Sequence, residues 1–494
     1  MLSFLAMTLI SVVSAVVTSR LYGVHIIGQF ALVSAPVLAL WVLSTAKEQS
    51  ALIREITVLP PRHPRVTQLF AAVFTFSSGL TVAMSILGAI VSWLVFRGPL
   101  HDPDLVDPVF VSLAGYAIIT NTGWNIDSIF SAFVAGRQLF WVRLHETLSF
   151  LLLAMLVGLV WHSVWGLVVA TIGGSLTALL HRMVLVRHFV RVRVDIVEYL
   201  EGLRVLPSLL RFGLKITPGG IAQGISQQAG IWAIGLVSSV GLVGAYSRAE
   251  TLPGRLQQVN FRIVEVLYPT LVARRATGDG DGFDRALIDT IRYALVGMLL
   301  IAALCGGAAK SILDIFGPGF SRAAPALELL AAYPALATVT VAQTQAFYAI
   351  NRPGLTSVIA VARLAVTITL TVVLTPRVGI TGPAIALLAG YAAQVTWGTI
   401  ALVPALSKPL HTIWPRREGL ALVASYLVGL EAATVAERVL PGITGLPLSL
   451  LAGTAAYVSV AIVCGAVNAR DRDRLTEAVG TARAWRDRRL AEAS

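Results

Sequence analysis

Apolar residues in this chain run together in long blocks that recur from Met1 to Cys464. A hydrocarbon layer of roughly 30 Å takes about 20 apolar residues wound as a helix, and the 494 residues offer about fourteen such windows. They cover residues 1–19, 27–52, 67–96, 108–135, 139–161, 164–188, 207–237, 240–270, 287–313, 321–349, 354–374, 380–404, 418–437 and 446–466, with twelve or thirteen spans as alternative counts. The expected class is an all-α integral membrane protein.

Composition agrees, because 56% apolar and 13% charged residues, with a mean hydropathy of +0.78, leave too little polar surface to coat a soluble globule. The breaks between windows alternate in charge. Arg54, Arg62 and Arg65 follow the second window, whereas Asp102, Asp104 and Asp107 follow the third. Basic breaks recur at Arg137 and Arg143, at Arg182 to Arg204, at Arg274, Arg275 and Arg285, at Arg352 and at Lys408 to Arg417. Basic loops stay in the cytoplasm, so an even number of spans with both termini cytoplasmic is expected. The net charge of +12 is then mostly topology, with a share for anionic lipid, and needs no nucleic acid. Met1 enters the first span without a charged leader or cleavage site, so that segment reads as retained. The location expected is a plasma membrane, and the excess of arginine over lysine suggests a bacterium with a GC-rich genome. Cys305 and Cys464 sit in apolar windows and read as small core residues.

An internal repeat is faintly visible. Gly28-Gln29-Phe30 opens the second window and Gly244-Ala245-Tyr246 opens the eighth, 216 residues later; FVAGR (133–137) and FYAINR (347–352) close the fourth and tenth, 214 apart. Two six-helix lobes in the same orientation are implied, related by an axis along the membrane normal. The expected divisions are a first lobe at 1–190, a cytoplasmic linker at 191–206, a second lobe at 207–405, two additional helices at 406–467 and a basic amphipathic cytoplasmic tail at 468–494. The segments at 19–40, 316–334 and 349–391 resemble polysaccharide-export flippases of the multidrug/oligosaccharidyl-lipid/polysaccharide (MOP) exporter superfamily. That resemblance implies a fourteen-helix, two-lobed fold enclosing a cavity that alternates between inward-open and outward-open states, with a polyprenyl-diphosphate-linked glycan as cargo. It also implies that the first, second, seventh and eighth helices border the cavity.

Charges inside the spans are the functional candidates, since each is costly in hydrocarbon unless it faces protein or water. Arg248, Arg255 and Arg262 lie seven residues apart, nearly two helical turns, and so share one face of the eighth window. Lys47 and Arg54 repeat that spacing at the end of the second window, so two basic stripes are expected to face each other. Such a cationic cavity suits a diphosphate, which arginine forks match. By the resemblance, Arg20, Arg211 and Lys215 extend the lining. Arg54, Arg211 and Arg262 also read as side chains reaching the cytoplasmic headgroups. Asp127, Glu146, Glu250 and Glu328 are candidates for proton or sodium coupling, with Asp127 and Glu250 foremost; Asn121 and Asn125 form a polar cluster beside Asp127. Glu146 reads better as a structural ion pair with its neighbours Arg143 and His145. No cofactor or metal is indicated. Pro36, Pro218, Pro253, Pro325 and Pro334 interrupt windows and are expected to kink them.

Two segments remain. The tail after Asn468 carries an apolar stripe flanked by arginines and is expected on the inner membrane surface, or as a contact for a glycosyltransferase or polymerase. GDGDGFD (278–284) resembles a calcium loop only superficially and reads as a turn. The sequence is expected to encode a lipid-linked oligosaccharide flippase and not an enzyme. The rivals are a lipid II flippase, a cation-coupled multidrug antiporter and, more distantly, a polytopic glycosyltransferase that would use HDPDLVD (101–107).

Overall fold

A computed structural model of the chain describes residues 2–45, 48–191, 196–214, 217–257, 260–414 and 416–466. Among these residues all regular structure is helical. The first series comprises α1 (Leu2–Leu43), α2 (Glu48–Ile56), α3 (Pro64–Arg97), α4 (Val106–Gly115) joined by a π-helical turn (Tyr116–Thr120) to α5 (Asn121–Ala132), α6 (Gly136–Val160), α7 (Val164–Val186) and α8 (Ile196–Leu214). The second comprises α9 (Thr217–Val237), α10 (Val240–Leu256), α11 (Asn260–Ala276), α12 (Gly280–Gly307), the short α13 (Ala309–Asp314) and α14 (Ala324–Leu330), α15 (Tyr333–Ala349), α16 (Pro353–Val378) and α17 (Thr381–Leu402). A single turn, α18 (Leu410–Ile413), leads to α19 (Arg416–Val439) and α20 (Leu446–Val463), which pack on each other and on α12.

Eleven of these helical segments are long and apolar enough to cross a membrane. They coincide with ten of the fourteen windows and merge the first two, because α1 runs through both with a break at Gly23 (φ 76, ψ 168). The seventh and eighth windows are absent from the eleven. Each is split in the structure, the seventh between α8 and α9 and the eighth between α10 and α11. The expected linker is helical from Ile196 onward, where α8 packs against α2 and α3. Pro325 and Pro334 begin α14 and α15, positions where a missing N–H is harmless, while Pro36 and Pro253 lie inside helices. The loop at 278–284 is a turn that caps a helix: Gly278 is left-handed (φ 72), and Asp279 accepts the Gly282 N–H at 2.8 Å and Arg274 at 2.7 Å. The Gly282 N–H, assisted by Arg274, holds the Asp279 carboxyl below its usual range. The amphipathic tail lies outside the described residues.

The helices are inverted relative to those of a soluble protein. On α3 the buried face carries Ser77, Thr81, Ser85 and Ser92, while Ile86, Ile90 and Leu94 are exposed. On α16 the buried face carries Ser357, Arg363, Thr367, Thr371 and Thr375, while Val358 and Val372 are exposed. Apolar surface of this extent is stable only against lipid, and small hydroxyl residues allow close helix contact inside it. This is a multi-pass membrane protein.

The two series share a spacing. α3 and α12 begin 216 residues apart, and α6 with α16, then α7 with α17, begin 217 apart. The connections preceding α6 and α16 also match, through Val134 (φ 53) and Asn351 (φ 58). α1 and α10 cross at Gly28 and Gly244, where the backbones come so close that a Cβ on Gly28 would strike the Val240 carbonyl and one on Gly244 the Val24 carbonyl. The glycines that open the second and eighth windows thus meet at the join between the series.

A second fastening lies inside the first series. Arg182 of α7, 3% exposed, donates from Nε to Asp127 Oδ1 at 2.9 Å and from Nη2 to Asp127 Oδ2 at 3.2 Å on α5, and from Nη2 to Glu146 Oε2 at 3.0 Å on α6. Ser175 adds a bond to Glu146 Oε1 at 3.3 Å. Gly123 leaves room for the guanidinium, since a Cβ there would lie 3.1 Å from Nη1. Glu146 is therefore in a structural ion pair, with Arg182 as its partner in place of the expected Arg143 and His145.

Two stability outcomes follow from these contacts. Gly244→Leu should lower stability by about 3 kcal/mol or more through overpacking, with Gly244→Ala intermediate, as read by the thermal midpoint of purified protein. Arg182→Ala should lower it by roughly 3–5 kcal/mol, because two carboxylates lose their shared cation. A midpoint within 1 °C of wild type, by the scaling of about 2–4 °C per kcal/mol, would refute either assignment.

Candidate functional site

A cavity of about 810 Å³ opens among α1, α9, α10, α15, α16 and α17. Its acids and bases, tyrosines apart, are Arg248, Glu250 and Arg255, all from α10. A helix of 3.6 residues per turn returns to nearly the same direction after seven residues, which brings both arginines to one wall, close enough to repel. Arg248 is tethered across the join between the series: its Nε donates to Ser19 Oγ at 2.7 Å, and Ser19 donates on to the Ala15 carbonyl at 2.7 Å.

The rest of the polar wall is built of amides and tyrosines. Gln223 and Gln227 stand one turn apart on α9. Gln223 Nε2 donates to the Tyr391 hydroxyl at 2.9 Å, Gln257 Nε2 donates to the same oxygen at 3.1 Å, and Gln227 Nε2 donates to Gln257 Oε1 at 3.2 Å. Tyr391 stacks on Tyr333 with ring centroids 5.6 Å apart. From α1, residues 27–41 contribute Phe30, Ser34 and Trp41, the last held edge-on by Trp124 at 4.5 Å. The site combines two cations with neutral hydrogen-bonding and stacking groups. That combination fits a ligand with an anionic end and a polyhydroxylated end.

The sequence candidates divide on this map. Arg248, Glu250 and Arg255 line the cavity. Arg20 does not: its Nε holds the Ile315 carbonyl at 2.8 Å, beside Asp314 and Gly317. Arg54 is exposed on α2 and pairs with Glu55 at 3.0 Å, and Arg211 is exposed on α8; neither lines the cavity. Asp127 is engaged with Arg182, also away from it. Lys47, Lys215 and the Arg262 side chain lie outside the described residues. The expected pair of opposed basic stripes does not form from Arg54, because α1 ends at Leu43 and Arg54 sits on a separate helix; likewise α10 ends at Leu256, before Arg262. In the polar cluster, Ser77 donates to Asn121 Oδ1 at 3.2 Å, and Asn125 Nδ2 donates to Ser77 at 3.2 Å, so it joins α3 to α5. The acidic loop contributes nothing to the cavity wall; there burial, reinforced by Asp104, pushes the Asp102 carboxyl up. Among the described residues, no group of three or more His, Cys, Asp or Glu could hold a metal ion.

The neutral wall is what a search for intramembrane charges overlooks. Gln223 and Gln227 in AQGISQQAG (222–230) were legible as amides one turn apart in an apolar segment. Arg363 was legible as the single charged residue of the window at 354–374.

Three comparisons place this architecture among known proteins. The chain is similar to a protein described as probable flippase AglR from Haloferax volcanii, 30% identical over 187 residues, which are 37% of this chain and 38% of that protein. The match thus spans well under half the length of that relative. Among solved structures, the lipid II flippase MurJ in an inward closed conformation aligns with a TM-score of 0.72 at 12% identity, over 94% of this chain and 97% of that one. An inward-facing multidrug resistance MATE family transporter of the MOP superfamily aligns with a TM-score of 0.62 at 15% identity, over 80% and 94%. These likenesses establish a shared fold. A family model described as polysaccharide biosynthesis protein matches residues 57–325, more than half of the sequence, and the chain therefore belongs to the polysaccharide biosynthesis protein family.

Proposed function

We propose that this protein is a flippase that moves a polyprenyl-diphosphate-linked oligosaccharide from the inner to the outer leaflet of a bacterial plasma membrane by alternating access. The observation that supports the reading is the mixed lining of the cavity: Arg248 and Arg255 suit the diphosphate, and Gln223, Gln257, Tyr333 and Tyr391 suit sugar hydroxyls and ring faces. Family membership and the flippase relative support the same class of cargo. The cavity is reached from the cytoplasm in one state and from outside in the other, with Pro253 in α10 and Pro218-Gly219-Gly220 at the start of α9 as the points where the wall bends.

The frame proposed for this cycle has fourteen spans: the eleven long apolar segments, a second span from the break in α1, and one each from α8–α9 and α10–α11. Both termini are cytoplasmic, and two six-helix lobes precede α19 and α20. Glu250, the one carboxylate on the wall, is the residue proposed to couple transport to protons or sodium. Glycosyltransferases or a polymerase of the same assembly route are the partners proposed. A lipid II flippase is the second reading, supported by the likeness to MurJ over nearly the whole chain. A drug antiporter fits less well, since a cationic drug would meet two arginines against one carboxylate.

Two measurements test this. In proteoliposomes, translocation of a fluorescent polyprenyl-diphosphate oligosaccharide should fall about 10- to 100-fold in Arg255→Ala and Arg248→Ala, the effect of losing one charge-assisted hydrogen bond, and stay within about twofold of wild type, a surface-sized change, in Arg20→Ala and Arg54→Ala. Equal losses in all four would remove the cavity from the mechanism. In a variant with Cys305 and Cys464 replaced by alanine, an impermeant thiol reagent added outside intact cells should label a cysteine at Asp104 and spare one at Asp279; the reverse would invert the topology.

A further inference from the structure

Arg363 on α16 is fully buried, at 0% exposure, and its Nε, Nη1 and Nη2 have no hydrogen-bond partner among the described residues. Its guanidinium carbon lies 4.6 Å from the Tyr391 ring centroid. A ring face satisfies part of the charge and none of the donors. The hydroxyls of Thr367 and Thr371, one and two turns further along α16, are also buried without partners among the described residues. Gln394 Oε1, one turn beyond Tyr391 on α17, is in the same condition and lies on the cavity wall. Ser357 and Ala360, the preceding turns of α16, line the cavity as well. Tyr391, whose ring lies against the guanidinium, itself lines the cavity, with its hydroxyl on Gln223 and Gln257.

The first series shows what a structural arginine looks like in this protein. Arg182 is shared by two carboxylates, Asp127 and Glu146. At the 217-residue spacing of the two series, Glu146 corresponds to Arg363 itself, Asp127 to Thr344 and Arg182 to Thr399. The second series therefore inverts one charge and deletes the other two. A buried cation with no counter-ion is strongly unfavourable unless a ligand supplies one.

We propose that Arg363 heads a second anion-binding subsite of the cavity, opened by displacement of the Tyr391 ring, that receives an acidic group on the glycan, such as a uronate carboxylate, while Arg248 and Arg255 hold the diphosphate. Thr367 and Gln394 complete the subsite. Its place on α16 against Tyr391, on a different helix from Arg248 and Arg255, favours the glycan as the source of that anion. This rests on the flippase reading and makes the protein selective for acidic glycans.

The test uses two matched probes in proteoliposomes, a polyprenyl-diphosphate disaccharide ending in glucose and the same lipid ending in glucuronic acid. Wild type should move both, and Arg363→Met should slow the acidic probe about tenfold or more while leaving the neutral one within about twofold. Arg363→Lys should keep part of the acidic preference. Without ligand, Arg363→Met should also unfold at a higher temperature than wild type, because it removes an unpaired charge. Equal slowing of both probes would assign the arginine to the diphosphate, and slowing of neither would remove it from recognition. A lower midpoint or loss of folded protein would make it structural. Each of these three results overturns the subsite and leaves the cavity reading intact, whereas a wild type that moves neither probe overturns that reading and the subsite with it.

Discussion

Every charge inside the hydrocarbon layer must meet an opposite charge, a hydrogen-bonding wall or water, and the placement of the functional parts follows from how each one is met. Arg182 is answered by Asp127 and Glu146, and the result is a rigid junction of α5, α6 and α7. Arg248 has a serine, and Arg248 and Arg255 otherwise face open space. Among the described residues Arg363 has a ring face and no hydrogen-bond partner. The series runs from neutralised to exposed to unsatisfied, and the same residue type thereby changes from fastening to binding group.

The join between the two series obeys a different constraint. Lipid supplies no hydrophobic drive for helices to associate, so α1 and α10 are held by close backbone contact at Gly28 and Gly244. The same crossing carries Ser19 to Arg248 and places residues 27–41 along the cavity. Movement that opened the cavity would have to turn about this contact, because glycines that touch leave no slack for sliding.

Much of the frame was legible in the sequence, because length and hydropathy are local properties and ten windows became ten helical segments. What escaped was set by tertiary context. The stripe at Arg248, Arg255 and Arg262 presumed one helix, and α10 stops at Leu256, past Pro253; the stripe at Lys47 and Arg54 presumed another, and α1 stops at Leu43. Arg248 and Arg255 were found because spacing within one helix is enough to bring them together. The partner of Glu146 was missed because Arg182 lies 36 residues away on the next helix, where local neighbours say nothing. The amide and tyrosine wall was missed because neutral polar groups carry no membrane penalty large enough to mark them.

The cavity takes its walls from residues 27–41 of α1 and 219–394 of the second series, and none from α3 to α7. Of two copies of one helical plan, the second thus supplies most of the cavity wall and the first supplies only α1. The segment that matches the family model, residues 57–325, takes in the α9 and α10 part of the wall, with Gln223, Gln227, Arg248 and Arg255, and ends ahead of α15, α16 and α17. The cavity wall thus straddles that boundary, with its two arginines inside the matched segment and Tyr333, Tyr391 and Gln394 beyond it. A recombination event between α14 and α15 would therefore exchange one part of a single wall and leave the other.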